Sequence, residues 1–331
     1  MLSCVFFPFI LNQQPEDDPA IFNPNCTTYL YVPINDVVGC GHRIQNWAQA
    51  WIVALHLGLA PLTDALFSGR PGVHGTYENA DRILGFEASG LIRHKRDVPQ
   101  PLEKVDFGVG PPTVRDTRAM SREFVDKLRA QPPRCNVYYQ VGEIWFGNYD
   151  EAKWALTSVM LHAERINLRY QVGVVNVAIH IRNGDIFPTQ PTFFANVVRL
   201  LEQELLPDLE LHYHIFSDNP NVGIRDLMSS RRHTIHDIPA LHALIHLAHA
   251  DIMIGCSSAF SLTAALMARR PLIFFPPNTK EPGDFELRVL NSISLTNPPT
   301  FSSLTKYRLL VFKNRWLRAK SNQCFNTTYT D

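Results

Sequence analysis

A chain of 331 residues is long enough for two domains of ordinary size, each with its own core. Its composition, 45% hydrophobic and 19% charged, excludes a disordered or fibrous polymer. The 31 Lys and Arg residues balance the 31 Asp and Glu residues, so no chain-wide basic field exists for nucleic acid or an anionic membrane, and any polyanion has to be bound locally.

The six cysteines, at positions 4, 26, 40, 135, 256 and 324, are too scattered for a disulfide framework and include no C-x-x-C pair for zinc. Asn25-Cys26-Thr27 and Asn326-Thr327-Thr328 fit the N-glycosylation pattern and hint at a secretory lumen. The apolar run from Cys4 to Leu11 is much shorter than the ~20 residues of a membrane span and lacks the basic start of a signal peptide. The chain as given reads as soluble, or its anchor is missing.

Residues 1 to 27 carry prolines and acids with little periodicity and read as an extended tail. Residues 28 to 35 form the first expected strand. It opens onto Val38-Gly39-Cys40-Gly41-His42-Arg43 and an amphipathic helix over 44 to 57, with Trp47, Trp51 and Leu55 at helical spacing. Strand, glycine turn and helix are the opening of a Rossmann-like unit. A dinucleotide fingerprint needs a third glycine where Ile44 stands, which argues against NAD. Gly39 and Gly41 still let backbone approach a ligand, the helix N-terminus adds positive potential, and His42 and Arg43 add side-chain donors. The competing reading is a tight turn with a solvated arginine. Between 61 and 133 glycines punctuate short apolar pieces, and the polar stretch 68 to 77 is a candidate acceptor-side loop. A charged helix over 114 to 128, a strand over 137 to 141 and a helix over 149 to 170 complete the first half.

The second half alternates with more regularity, as a parallel sheet with crossover helices does. Strands are expected over 174 to 182, 211 to 216, 234 to 238, 251 to 254 and 272 to 275. Helices are expected over 193 to 206, 222 to 229, 239 to 249 and 259 to 268. Beyond Pro276 the chain should cross back, because no full βαβ repeat remains.

Chemistry concentrates where these strands end. The β-branched stretch VVNVAIHIRNGD runs into His180-x-Arg182-x-Gly184-Asp185, placing a fixed cation at a strand mouth, where open α/β sheets bind ligands. The planar fork of Arg182 suits a phosphate, and Asp185 orients that fork or receives a proton; an Arg/Asp pair that only ties down a loop is the plain alternative. Asp218 likewise follows a strand, where a carboxylate accepts from a base or ribose hydroxyl, or merely forms a turn before Pro220. Gly255-Cys256-Ser257-Ser258-Ala259-Phe260-Ser261 opens a helix with several hydroxyls and N–H groups converging, an anion cradle or else simple N-capping. A hydrolase nucleophile elbow at Ser257 is excluded, since all 13 histidines lie at or before His249 and that fold needs its catalytic histidine after the serine. His242, His246 and His249 share one helix face without the glutamate of a zinc motif and read as core or boundary histidines.

Three of these segments resemble motifs of the GDP-fucose-dependent fucosyltransferase superfamily, which contains the α1,2-, α1,6- and protein O-fucosyltransferases. Its H-x-R-x-x-D motif matches His180, Arg182 and Asp185; many members carry a second arginine where this chain has Asn183. The glycine turn G-x-G-[NH]-[RQ] matches Gly39, Gly41, His42 and Arg43, and the serine motif matches Ser257, Ser258, Phe260 and Ser261, followed by Ala264-Ala265. The resemblance implies an α/β fold of the GT-B type, two Rossmann-like domains facing across a cleft, with residues 28 to 172 on the acceptor side and 173 to 331 binding the nucleotide sugar. It also implies an inverting glycosyltransferase that moves fucose from GDP-fucose to a glycan or protein hydroxyl in the Golgi or ER lumen, with Asp218 near the base. No metal cofactor is expected where a fixed cation meets the leaving diphosphate. On the acceptor side His74, Glu78 and Asp81 lie near glycine turns, and Glu78 is the candidate base. Two other readings stay open: a nucleotide- or glycan-binding module without turnover, and a glycosyltransferase that uses another nucleotide sugar.

Overall fold

The structure is a computed structural model that describes residues 28–32, 39–56, 58–63, 79–91, 98, 103–106, 127, 130, 137–140, 149–164, 166–182, 189–206, 208–219, 228–269, 272–276, 292–295 and 299–327. Two parallel sheets make it an α/β fold. The chain forms two compact units. The first holds β1 (Thr28–Val32), β2 (Ala60–Thr63), β3 (Glu103–Asp106), β4 (Val137–Gln140) and the helix α1 (Cys40–His56) from Ala50 onward. The second holds α1 up to Gln49, the short helices α2 (Ala80–Ile83) and α3 (Phe86–Ser89), and everything from Gly147.

In the first unit the strand order is β2-β1-β4-β3, with Leu30 of β1 level with Pro61 and Tyr139 on either side. Tyr29, Tyr31, Leu62, Val98 and Tyr138 form its core, the Tyr31 and Tyr138 rings meeting edge to face at 5.5 Å.

The second unit contains β5 (Val175–Ile181), β6 (Leu211–Ser217), β7 (His233–His236), β8 (Ile252–Ile254), β9 (Leu272–Phe275) and β10 (Ser292–Ser294), in the order β10-β9-β8-β5-β6-β7. Numbered from β5, this is the doubly wound order, in which the chain builds outward to β7, returns across the sheet and builds the other half from β8. Every residue of β5 is buried, as a central parallel strand requires. Because side chains alternate, Val175, Val177, Ile179 and Ile181 join Ile215 and Ile254 on one face, packed by α5 (Pro191–Leu205) through Phe194, Val197 and Leu201. The last helix, α8 (Ser303–Thr327), reaches the same core through Leu309, Phe312 and Trp316. The opposite face carries α6 (Ala240–His249) and α7 (Ala259–Met267). Behind α7 stands α4 (Tyr149–Met160), whose Lys153 ammonium donates to the Ala265 and Ala268 carbonyls at 3.0 and 2.8 Å. A cation there satisfies orphan carbonyls at the negative end of the helix dipole.

Several sequence expectations change. Helix α4 stops at Met160 instead of running to 170. Glu164 N–H donates to the Ile83 carbonyl at 2.9 Å and Arg169 N–H to His246 Nε2 at 3.2 Å, so long-range partners pull this backbone out of the helix. Beyond Pro276 the chain adds a sixth parallel strand, β10, and the long α8, where only a crossing back was expected. The glycine turn is also shorter, because α1 begins at Cys40 and Gly41, His42 and Arg43 form its first turn. All but residue 127 of the expected helix over 114 to 128, most of that over 222 to 229, the loop 68 to 77 and the tail 1 to 27 lie outside the described residues. Among the described residues no helix is long and apolar enough to cross a membrane.

The second face of the sheet buries a stack of imidazoles. His212 and His214 of β6 lie 4.4 Å apart, His214 and His236 of β7 are hydrogen-bonded at 2.9 Å, and His236 faces His246 of α6 at 5.7 Å between ring centres. His214 Nε2 also pairs with the Asn176 side-chain Oδ1 at 3.1 Å, and Tyr170 packs on both His214 and His246. Burial, with neighbouring imidazoles adding to it, lowers His214 from 6.5 to about 3; for His236, burial and then His246 lower it to about 4. The unfolded chain therefore binds more protons than the folded one below pH 6.5, and folding stability falls as pH drops through that value toward 4. Urea denaturation at pH 7.5, 6.5, 5 and 4 should give a midpoint that declines steadily below pH 6.5. A flat profile over that range would show that the stack does not control acid stability.

Candidate functional site

In the second unit, the return of the chain from β7 to β8 sets the carboxyl ends of β5 and β8 side by side, with Ile179 level with Ile254. This is the topological switch point, where the diverging connections leave a crevice. Arg182, half-buried, is the first residue beyond β5, and exposed Asp218 is the first beyond β6, the neighbouring strand whose Ser217 pairs with Ile181. The turn Gly255 to Ser258 leaves β8 on the other side. Three of the candidate segments thus occupy adjacent strand ends.

The turn is held by its own hydroxyls. Ser258 caps α7, its Oγ accepting from Ser261 N–H at 3.1 Å. The Ser261 hydroxyl, fully buried, accepts from Cys256 N–H at 3.1 Å and lies 2.6 Å from His180 Nδ1. His180 therefore ties the end of β5 to the first turn of α7, and its ring rests 5.0 Å from that of Phe260. Not every N–H of the turn is open to an anion, since Ser258 N–H donates to the Cys256 carbonyl at 2.7 Å. Ser257 remains exposed at the outer side of the turn. A helix that begins here sets a positive dipole end at the strand mouth next to the one that Arg182 follows, an arrangement suited to a phosphate group.

Cys256, absent from the sequence-level candidates, sits inside this knot. Its sulfur is 3.4 Å from both His180 Nδ1 and Ser261 Oγ, and it is 2% exposed. Burial pushes the thiol up, but the His180 charge and hydrogen bonds from His180, Ser261 and Ser258 outweigh it and leave the group at about 7. Small size and the apolar strand before it let this cysteine pass as a core residue in the sequence.

The first turn of α1 is built onto the same place. A Cβ on Gly41 would lie 2.6 Å from the Ala259 carbonyl carbon and 2.7 Å from Phe260 N, so only glycine lets the two helix starts approach this closely. Gln45 Nε2 donates to the Ala259 carbonyl at 2.8 Å and to Thr263 Oγ1 at 3.0 Å, and Thr263 Oγ1 donates to the Gly41 carbonyl at 3.0 Å. The close approach that the glycine serves is thus to α7. Gly39 contributes its carbonyl to Arg43 N–H at 3.2 Å, and His42 is half-buried. Arg43 is neither solvated nor on the surface: it is 1% exposed, in the same buried patch as Cys40 and Asp81. Burial pushes the Cys40 thiol to about 12, with Arg43 acting against the rise and Asp81 adding to it. Gln45 and Thr263 were missed because each reads singly as an ordinary polar helix residue.

Asp185, Glu78, His74 and Asn183 lie outside the described residues. On α6, His246 Nδ1 contacts the His242 carbonyl at 2.7 Å and His249 Nδ1 that of Ile245 at 2.9 Å, so both rings bond back to their own helix, and His246 Nε2 is taken by Arg169 N–H. Among the described residues no His, Cys, Asp and Glu cluster is arranged to hold a metal ion.

No protein-family model and no curated protein sequence matches the chain. Solved structures do. The fucosyltransferase NodZ from Bradyrhizobium is 13% identical over 73% of this chain and 94% of its own, with a TM-score of 0.44. An Arabidopsis thaliana FUT1 mutant in complex with GDP is 13% identical over 79% and 73%, with a TM-score of 0.46. The E. coli ADP-heptose LPS heptosyltransferase II is 12% identical over 88% and 99%, with a TM-score of 0.40.

The knot at the switch point predicts a sharp contrast among three substitutions. Gly41→Ala should cost about 1–3 kcal/mol through overpacking. Ser261→Ala should cost a similar ~1–3 kcal/mol by leaving buried partners unsatisfied. The exposed Ser257→Ala should stay within ~0.5 kcal/mol of the parent. Urea denaturation measures all three, and equal stability of the Ser261 and Ser257 variants would contradict the geometry.

Proposed function

We propose that the chain is a glycosyltransferase of the GT-B type that carries fucose from GDP-fucose to a glycan or protein hydroxyl with inversion. The observation that carries this reading is the switch point itself: Arg182, Asp218 and the His180-braced serine turn stand at neighbouring strand ends of a doubly wound sheet. That arrangement supports nucleotide-diphosphate chemistry, and the fucosyl donor comes from the resemblance of the same residues to the fucosyltransferase motifs. The acceptor-side domain proposed spans 28 to 172, the donor domain 173 to 331, and the compartment is the Golgi or ER lumen.

When a sugar leaves a nucleotide diphosphate, negative charge grows on the departing phosphate while the ring acquires oxocarbenium character. Arg182 and the α7 N-terminus supply fixed positive potential to that charge, so the step proposed calls on no metal. Asp185 orients the Arg182 fork, Asp218 receives the base or ribose, and Glu78 removes the acceptor proton from the opposite face.

A panel of nucleotide sugars, followed by release of the nucleotide, tests the donor. GDP-fucose should turn over in the presence of EDTA, and GDP should compete better than UDP or ADP. Weak GDP preference would remove the fucose assignment, and GDP binding with neither transfer nor donor hydrolysis would make the chain a binding module. Arg182→Ala should lower turnover by roughly 10²–10³-fold, as loss of a preorganised donor does; near-full turnover would refute the phosphate role. Glu78→Gln should lower turnover more than GDP affinity, and equal losses, or none, would clear Glu78 of the base role.

A further inference from the structure

The neutral balance of the chain hides one strongly basic element. Helix α8 carries Lys306, Arg308, Lys313, Arg315, Arg318 and Lys320 and no acidic residue. At about 100° per residue, its buried stripe is Thr305, Leu309, Phe312 and Trp316. The face turned away from that stripe is mixed, with exposed Asn314 and Arg318 at its centre among apolar side chains. It presents Tyr307 at 63%, Leu304 at 60%, Leu310 at 50% and Leu317 at 36% exposure. The other cations lie along its two margins. Lys306 and Lys313 on one side pair with Glu204 and Asp208, and Arg308 and Arg315 flank the other side. Near the far end, Lys320 lies over the Trp316 ring at 5.4 Å and donates to the Gly173 carbonyl at 3.4 Å, beside Val172, which is 94% exposed.

Exposed apolar side chains interleaved with and bordered by cations on a convex helix fit one kind of occupant better than another protein. A protein partner would require a matching groove for a long convex rod. A bilayer surface adapts to that shape, takes the apolar side chains into the headgroup and acyl boundary, and sets its anionic headgroups against the marginal Lys and Arg. Because the whole chain carries no net charge, attraction to an anionic surface would come from this face and would orient the molecule with α8 downward. We propose that α8 is a docking face for an anionic membrane surface, on which the protein sits peripherally through Leu304, Tyr307, Leu310 and Leu317 with the flanking cations. This use of α8 is independent of the switch-point site and of the proposed reaction.

Sedimentation of the full chain with phosphatidylcholine vesicles, with and without phosphatidylserine, tests it. The chain should co-sediment with the serine-containing vesicles and not with pure phosphatidylcholine, and raising NaCl from ~0.1 to ~0.5 M should weaken binding about tenfold. Leu310→Asp and, separately, the pair Arg308→Glu and Arg315→Glu should each reduce the bound fraction about tenfold, leaving the circular dichroism spectrum and thermal midpoint unchanged because these side chains are not in the core. Absence of binding, equal binding to both vesicle types, or binding unchanged in both variants would overturn the proposal. A dimer in analytical ultracentrifugation that Leu310→Asp dissociates would also overturn it, by assigning the face to a second copy of the chain.

Discussion

One hydrogen-bonded contact ties together the candidate site in the second unit of this protein: the 2.6 Å approach of His180 Nδ1 to Ser261 Oγ. The doubly wound order brings the ends of β5 and β8 together, but order alone would leave the turn after β8 free to move. His180 reaches across from β5, and Ser261 passes the restraint back to Cys256 N–H in the turn. With Ser258 capping the same helix, the first turn of α7 is fixed from three sides. Preorganisation of this kind matters because an anion site acts through donors already in place when charge develops.

The α1 start depends on that turn in its own way. Gly41 brings backbone against backbone, and Gln45 and Thr263 close the seam with buried hydrogen bonds. Such a seam is demanding, since a buried polar group left without its partner costs about 1–3 kcal/mol. It also explains why α1 buries Gln45, Asn46 and Gln49 together with its tryptophans. Of these amides, Gln45 joins α1 to α7 through its Nε2, while its Oε1 and Asn46 Oδ1 are buried without a hydrogen-bond partner.

The regular βαβ alternation after residue 174 was legible because each parallel strand is a short apolar run ending in polar turn residues. It placed β5, β6, β8 and β9 within a residue or two of the observed bounds. Chain end and first half were harder. β10 is only Ser292–Ser294, too short to show a period, and α8 mixes exposed leucines with cations so that no single apolar stripe stands out. The end of α4 was misread because tertiary hydrogen bonds from Glu164 and Arg169 override local pattern. At the site, the strand-end position of Arg182 and Asp218 and the cap at Ser258 could be read from spacing. The burial of Arg43, the glycine contact between helices and the Cys256 knot could not, since each depends on which elements become neighbours.

The central claim is that a diphosphate binds at the adjacent ends of β5 and β8, between Arg182 and the start of α7. A crystal structure of the chain with GDP tests it most directly. The account predicts the diphosphate within hydrogen-bonding reach of the Arg182 guanidinium and of amides in the first turn of α7, with the nucleoside toward Asp218. GDP bound elsewhere, or bound with its phosphates away from both Arg182 and α7, would contradict it.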